Sequence, residues 1–379
     1  MVDQQHTLRN PLARLGEPTP SQIDGLPVEL ERELRLYGGL LIQQAGVLLK
    51  LPQIVMATAA TLFQRFFFVT SFVHFGIRDV SAGALFLASK LEEKPARIRD
   101  IINVYDYLLQ MIEWSGEQVS SRTGTRVVVE EGIASRAARE AEQKIEQNPL
   151  LPLEIKQSML RHLQQKRATL PSEPPSLPSS IPGPPGSSEK NLVLDIDKFS
   201  YLPMDYFAQR FYDRKEEIVV AEMQILKRLG FHVQVQHPYS AMVNYLQVLN
   251  LTDNSEISQR AWGALNDMLL TTLPALYPPT HLGTLAIYVA VKEAGLALPE
   301  AWWELFDVSE ETELVEMAGV LRAIYPPSPT QPVDDGQNVD AGDGEKDGMA
   351  AGDPTIWVRV SRLPITKDAA RRLIKPAPS

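Results

Sequence analysis

The chain has 379 residues, 29 of them proline and none cysteine, and carries a net charge of −10. The lack of cysteine excludes disulfides, iron–sulfur clusters, thiol catalysis and cysteine-ligated zinc, and the acidic balance disfavours a protein whose main task is to coat nucleic acid. The length suits two domains plus linkers, and the proline content predicts unstructured segments beside them.

Residues 1–27 are polar and proline-rich and are expected to form a flexible lead-in. The N-terminus has no apolar signal region, and the most apolar stretch, Leu62–Val73, contains Gln64 and Arg65 and is too short to span a bilayer. A soluble intracellular protein is therefore expected. Helical periodicity begins near Glu29, with Leu34, Leu41 and Leu48 on one face and Tyr37 and Ala45 between them. Leu51-Pro52 breaks that helix, and Pro52 suits the first turn of the next, which runs to Val69. Asp79 or Ser81 is positioned to cap a helix over 80–91. Its small residues Ala82, Gly83 and Ala84 predict close helix contacts and a central, most buried position. A further helix is expected over 97–112.

The region 115–190 reads as an insertion. It is charged to 147, with helical potential over 130–147, and ends in the Pro/Ser/Gly run PSEPPSLPSSIPGPPGSSEK, which cannot build a core. A helix follows over 205–229, stopped by Gly230, and then a short connector, Phe231–Pro238. A second helical block is expected over 239–249, 256–273, 280–294, 299–305 and 309–324. From Pro326 the chain is an acidic linker, and it ends in a basic stretch, 357–375, whose plain reading is a tail and whose second is a nuclear-import signal. No alternating strand pattern and no nucleotide-binding glycine loop occurs. His232 and His237 are five apart without a third ligand at a suitable spacing, so no metal site is expected. No Ser-His-Asp arrangement or other catalytic pair can be argued, so an enzyme is not expected, and neither is a cofactor.

Two helical blocks thus stand in tandem, and each contains a small-residue helix followed by lysine and glutamate: DVSAGALFLASKLEE in the first, THLGTLAIYVAVKEA in the second. These segments, with RIRDIINVY and IVVAEMQILKRLGF, resemble the boxes of cyclins, and their order resembles the cyclin L family in particular. The likeness covers about 28–113 and 191–325. It implies an all-α fold of two tandem five-helix cyclin-box domains with a disordered insertion and tail. The first box would comprise 28–114 plus 191–237, the second 238–325, with 326–379 as linker and tail.

The resemblance also implies a non-catalytic, nuclear regulatory subunit. It would bind and activate a cyclin-dependent kinase in RNA polymerase II transcription or pre-mRNA processing, with transcription or splicing factors as further partners and no membrane or direct nucleic-acid contact. The lysine of the ASK-x-EE motif is Lys90 and the glutamate of AE-x-x-x-L is Glu222, and the family places both against kinase backbone. Glu93 is expected on the same surface, whereas Glu92 is expected in solvent. Phe63, Phe66, Phe67 and Phe68 cannot all face one core, and Phe67 is assigned to the partner side. This chain departs from cell-cycle cyclins in having Gln64 where they carry aspartate, and in lacking the MRAIL docking sequence. It also lacks the long Arg/Ser-rich tail that cyclin L proteins can carry. A competing reading is a cyclin-fold adaptor of the TFIIB type that activates no kinase.

Overall fold

The computed structural model describes residues 12–123 (side chains to 115), 156–157 and 199–325. All regular elements among the described residues are helical. They are α1 (Pro20–Ile23), α2 (Val28–Leu48), α3 (Gln53–Val69), α4 (Ile77–Leu91), α5 (Ile98–Thr123), α6 (Gln209–Arg228), α7 (Tyr239–Val248), α8 (Ser255–Met268), α9 (Leu273–Leu276), α10 (Pro279–Ala294), a 3₁₀ turn (Trp302–Phe306) and α11 (Glu311–Arg322). The chain divides into two compact units, one holding Met1–Tyr105 and Asp205–Ala351 together with Pro364–Ser379, the other Asp106–Met204 with Gly352–Leu363. The predicted basic end and most of the predicted insertion lie outside the described residues.

In the first unit α3 is the central helix of the first helical block. Every residue from Val55 to Phe67 is buried. The expectation had placed the 80–91 helix there; α4 is buried along most of its length but keeps Phe86 and Lys90 outside the core. The cause is composition: α3 carries apolar or small residues on every face, as a fully enclosed helix requires. Helix α4 also starts earlier than predicted, at Ile77 after Gly76, and Asp79 lies in its first turn instead of capping it. On α2, Leu34, Tyr37, Leu41 and Ala45 are fully buried as the periodicity requires, whereas Leu48, in the last turn, is exposed.

A helix buried on all sides must satisfy its polar side chains internally, and those of α3 become its joints. Gln64 donates through Nε2 to the carbonyl of Leu270 at 3.3 Å, reaching the second block. Arg65 donates to the carbonyl of Gln234 at 3.1 Å, tying α3 to the connector between the blocks, and burial pushes its pKa down to about 10. Beside them Gln53 donates to Asn266 Oδ1 at 2.9 Å, and Tyr239 donates to the same oxygen at 2.8 Å. Ala57, Ala60 and Leu269 pack there with Tyr239.

The Gln64 position has a further consequence for α2. Arg35 on α2 is buried, and burial lowers its pKa while Glu31 opposes that shift. Its Nη1 donates to the Gln64 carbonyl and to Gln64 Oε1, both at 3.1 Å, and its Nη2 donates to the Phe67 carbonyl at 2.9 Å. No carboxylate at position 64 neutralises it. The counter-charge comes from Glu31, one turn back on α2, which accepts from Nε at 2.9 Å and Nη2 at 2.7 Å. Two charge-assisted hydrogen bonds converge on one carboxylate oxygen, Glu31 Oε1, and offset part of the desolvation of the guanidinium.

In the second unit, Tyr107 and Trp114 of α5 gather around Phe199, with ring centroids 5.6 and 5.7 Å away. Gln110 exchanges hydrogen bonds with the backbone of Leu202. Helix α5 continues to Thr123, past residue 112 where the periodicity had ended it and into the predicted insertion.

Replacing Glu31 by Ala would leave Arg35 buried without its counter-charge. Removing one partner of a buried pair costs about 3–5 kcal/mol. A urea titration of the variant is expected to show a loss of this size, and a loss below about 1 kcal/mol would mean that Arg35 does not depend on Glu31.

Candidate partner-binding surface

Lys90 and Glu222 lie 132 positions apart in the chain and meet in space. What brings them together is the crossing of α4 and α6. Gly83 on α4 faces the backbone of α6 so closely that an added Cβ would lie 2.8 Å from Ala221 Cβ and 3.0 Å from Glu222 N. Only glycine permits that approach. Two turns further along α4, the Lys90 ammonium donates to Glu222 Oε1. The same ammonium sits 4.1 Å from the ring centroid of Phe86, one turn earlier on α4. The second block repeats the device, since a Cβ on Gly283 of α10 would lie 3.1 Å from Met242 N of α7.

The pair is accessible: the Lys90 side chain is 42% exposed and that of Glu222 13%. The two helices that carry it also expose aliphatic side chains, on α6 among charged ones such as Lys215 and Glu216. Ile218, Ala221 and Ile225 form the buried stripe of α6, and Val219, Val220 and Met223 are exposed, as is Leu91 on α4. A group of exposed aliphatic side chains beside a charged pair is the composition expected of a protein interface.

The end of α4 is built around Glu93. Its N–H donates to the Lys90 carbonyl at 3.2 Å, and the N–H of Lys94 donates to the Ser89 carbonyl at 2.8 Å. These are the two bonds of a Schellman closure. The residue at its turning point is normally glycine, because the backbone there is left-handed, yet Glu93 holds it with φ of +54°. Glu93 is exposed.

Glu92 is drawn inward, against the expectation of a solvated carboxylate. It accepts at 2.7 Å from the hydroxyl of Thr58, and that hydroxyl lies 2.8 Å from His237 Nε2. Because Thr58 gives its hydrogen to Glu92, Nε2 must carry the hydrogen that Thr58 accepts. Thr58 is buried, so the relay fastens the last turn of α4 to α3 and to the connector ahead of α7. Burial pushes the His237 pKa down, with Glu92 opposing the shift and Arg65 adding to it.

Of the four residues assigned to the partner surface, Lys90, Glu222 and Glu93 are accessible on adjoining elements. Phe67 is not. It is fully buried, stacked on Phe72 with centroids 3.7 Å apart and edge-on to Phe63 and Phe66. Phe63, Phe66 and Phe67 are all core, and the phenylalanine left partly exposed is Phe68, whose ring centroid lies 4.5 Å from the Arg35 guanidinium. Phe86 and the outward residues of α6 were missed. Their signal was present: α6 has more apolar residues than one buried stripe can hold, and Phe86 precedes Lys90 by one turn. No group of three His, Asp or Glu residues able to hold a metal occurs among the described residues. No described helix is long and apolar enough to cross a membrane.

No family model matches the chain. Curated proteins do. Cyclin-L2 of Mus musculus is 32% identical over 309 residues, which is 81% of this chain and 43% of that protein. Cyclin-L1 of Gallus gallus is 32% identical over 323 residues, or 85% of this chain and 43% of that protein. Cyclin-L1 of Homo sapiens is 32% identical over 296 residues, or 78% and 40%. The match thus spans well under half the length of these relatives. Among solved structures, the yeast RNA Pol II CTD kinase CTDK-1 complex contains a chain similar to this one at 13% identity and a TM-score of 0.42, covering 82% of this chain and 73% of that one.

Two helical blocks in tandem, each with a glycine-packed helix crossing, are the architecture expected of paired cyclin boxes. Within that class, the identity along most of its length settles the branch: the chain belongs to the cyclin L family.

Two outcomes follow from this geometry. Glu93→Gly relieves the left-handed backbone and is expected to stabilise the fold by about 1 kcal/mol in a thermal melt; destabilisation would mean that the carboxylate has a structural partner. For His237 the depressed pKa sets the sign. The unfolded chain takes up the proton first, so the stability contribution is complete above about pH 6.5 and is lost as the pH falls toward the folded pKa. The melting temperature of the wild type is expected to drop more than that of His237→Gln on acidification from about pH 7.5 to 5.5, and parallel curves would contradict the assignment.

Proposed function

We propose that this protein is a non-catalytic regulatory subunit that binds a cyclin-dependent kinase through the last turn of α4 and the outer face of α6, and so activates it. The observation that carries the reading is the convergence of Lys90 and Glu222 from two helices onto one partly exposed spot, on helices that also expose aliphatic side chains. Membership of the cyclin L family supports it, and so does the choice of residues: the two charges that the family directs at kinase backbone are the two that meet here.

The chemistry required of such a surface is mechanical. A protein kinase transfers phosphate efficiently only when its strand lysine is paired with the glutamate of its C-helix. That helix has an inactive and an active position, and a subunit that binds the active one better shifts the population toward it. Val219, Val220, Met223 and Leu91 would supply apolar area. Lys90 and Glu222 would supply orientation, trading their mutual bond for bonds to backbone carbonyls and amides of the kinase. Glu93 stands at the rim, and its left-handed backbone is the kind of local strain that functional positions retain. Within the cell we place this activity in the nucleus, acting on proteins of RNA polymerase II transcription or pre-mRNA processing. ATP, magnesium and the catalytic base would belong to the kinase. Phe67, which is core, has no part in the interface.

The pair separates folding from binding. In the free chain it is a partly exposed ion pair, worth about 0–1 kcal/mol. Replacing Lys90 and Glu222 together by Ala is expected to leave the melting temperature nearly unchanged, yet to weaken kinase binding by about 2–5 kcal/mol, as truncation of interfacial charges does. Titration calorimetry or surface plasmon resonance with the purified kinase would measure this. Unaltered affinity would place the interface elsewhere and favour the adaptor reading.

A further inference from the structure

The segment 12–27 lies on the first unit as a strap, held mainly by polar contacts. Thr19 caps α1, accepting from Gln22 N at 3.4 Å, and its hydroxyl donates to Glu31 Oε2 at 2.7 Å. Gln22 Nε2 donates to the same carboxylate oxygen at 3.0 Å. Ser21 Oγ accepts from Phe72 N at 3.1 Å, Asp24 lies 3.6 Å from His74, and Ala13 N donates to the Ala275 carbonyl of the second block at 2.8 Å. Leu26 is buried, whereas Leu12, Leu15 and Ile23 are exposed. A segment with so little buried apolar area opens locally at far smaller cost than the fold itself.

Thr19 is followed by Pro20. We propose that Thr19 is a phosphorylation site for a proline-directed serine/threonine kinase, and that phosphate on it holds the strap open. In the closed strap the hydroxyl is buried and bonded, so the acceptor becomes available only on local opening. The γ-phosphoryl group of ATP then passes to Thr19 Oγ1. The new bond is O–P, the bond to the β-phosphate oxygen breaks, ADP leaves, and the hydroxyl proton goes to the kinase's base.

The product cannot re-close as before. The donor to Glu31 is gone, and a group of about −1.5 to −2 charge must face a carboxylate. Glu31 cannot swing aside, because its other oxygen is held by Arg35 Nε and Nη2. Release of the strap removes the bonds of Ser21 and Asp24 to the loop between α3 and α4, and that of Ala13 to the second block. The modification therefore acts on the loop leading into the helix that carries Lys90. This inference does not depend on the kinase-activating role.

The full chain would be incubated with a purified mitogen-activated protein kinase and magnesium ATP. Mass spectrometry would separate phosphate on Thr19 from phosphate on Ser328, the other serine or threonine that precedes proline. Gln22→Ala removes one bond to Glu31 and should raise the Thr19 rate about tenfold by favouring the open strap. The phosphorylated chain, but not Thr19→Val treated in the same way, should gain a protease-sensitive site within 12–27 while the rest stays resistant. The proposal is overturned if Thr19 stays unmodified in both the wild type and Gln22→Ala while a free 11–27 peptide is phosphorylated, if that peptide is itself refused, or if phosphorylated Thr19 leaves proteolysis unchanged.

Discussion

The first block is organised around a cation that has been taken out of water. Arg35 gives up solvent on the inner face of α2, and every acceptor it needs must then be supplied by protein. Two come from α3 carbonyls and one from the Gln64 side chain; the charge itself is met by Glu31. This one requirement fixes the spacing of α2 against α3. It also recruits the N-terminal strap, since the remaining capacity of Glu31 is filled by Thr19 and Gln22. Cell-cycle cyclins carry aspartate at the position of Gln64. Here the neutral amide leaves Gln64 able to donate as well as accept, and its Nε2 reaches Leu270 in the second block.

The partner surface inherits its geometry from that scaffold. Helix α3 is enclosed, so its polar groups point to joints and not to solvent: Arg65 to the connector, Thr58 to Glu92 and His237, Gln64 to the second block. The Thr58 joint holds the last turn of α4, while Gly83 holds the crossing of α4 with α6. Lys90 therefore emerges at a defined height beside Glu222. A surface fixed in this way pays little ordering cost when a partner binds, which is how rigid elements give specific contacts.

Much of this was legible in the sequence. Helical periodicity without any alternating strand pattern pointed to the all-α class, and the inward stripe of α2 was read correctly through Leu34, Tyr37, Leu41 and Ala45. Lys90 and Glu222 could be named because two short motifs carried them, although nothing in their separation of 132 positions says that they touch. What stayed hidden depended on three-dimensional partners. Glu92 looked solvated because its acceptor role needs Thr58, 34 positions away. Phe67 was assigned to the surface because one stripe cannot bury four phenylalanines; the helix buries Phe63, Phe66 and Phe67, and Phe68 is the one that stays partly exposed. The Glu31–Arg35 pair was not read from the sequence, where i, i+4 spacing of opposite charges is ordinary; its burial depends on the packing of α2 against α3.

The measurement that bears most directly on the account is recovery of the intact protein with its associated proteins from its own cells, followed by mass spectrometry and a protein-kinase assay on the eluate. One cyclin-dependent kinase present in stoichiometric amount, with kinase activity that is lost when the kinase is removed, is the predicted result. Recovery of polymerase or splicing factors with no kinase and no kinase activity would contradict it, and would mean that this cyclin fold serves as an adaptor.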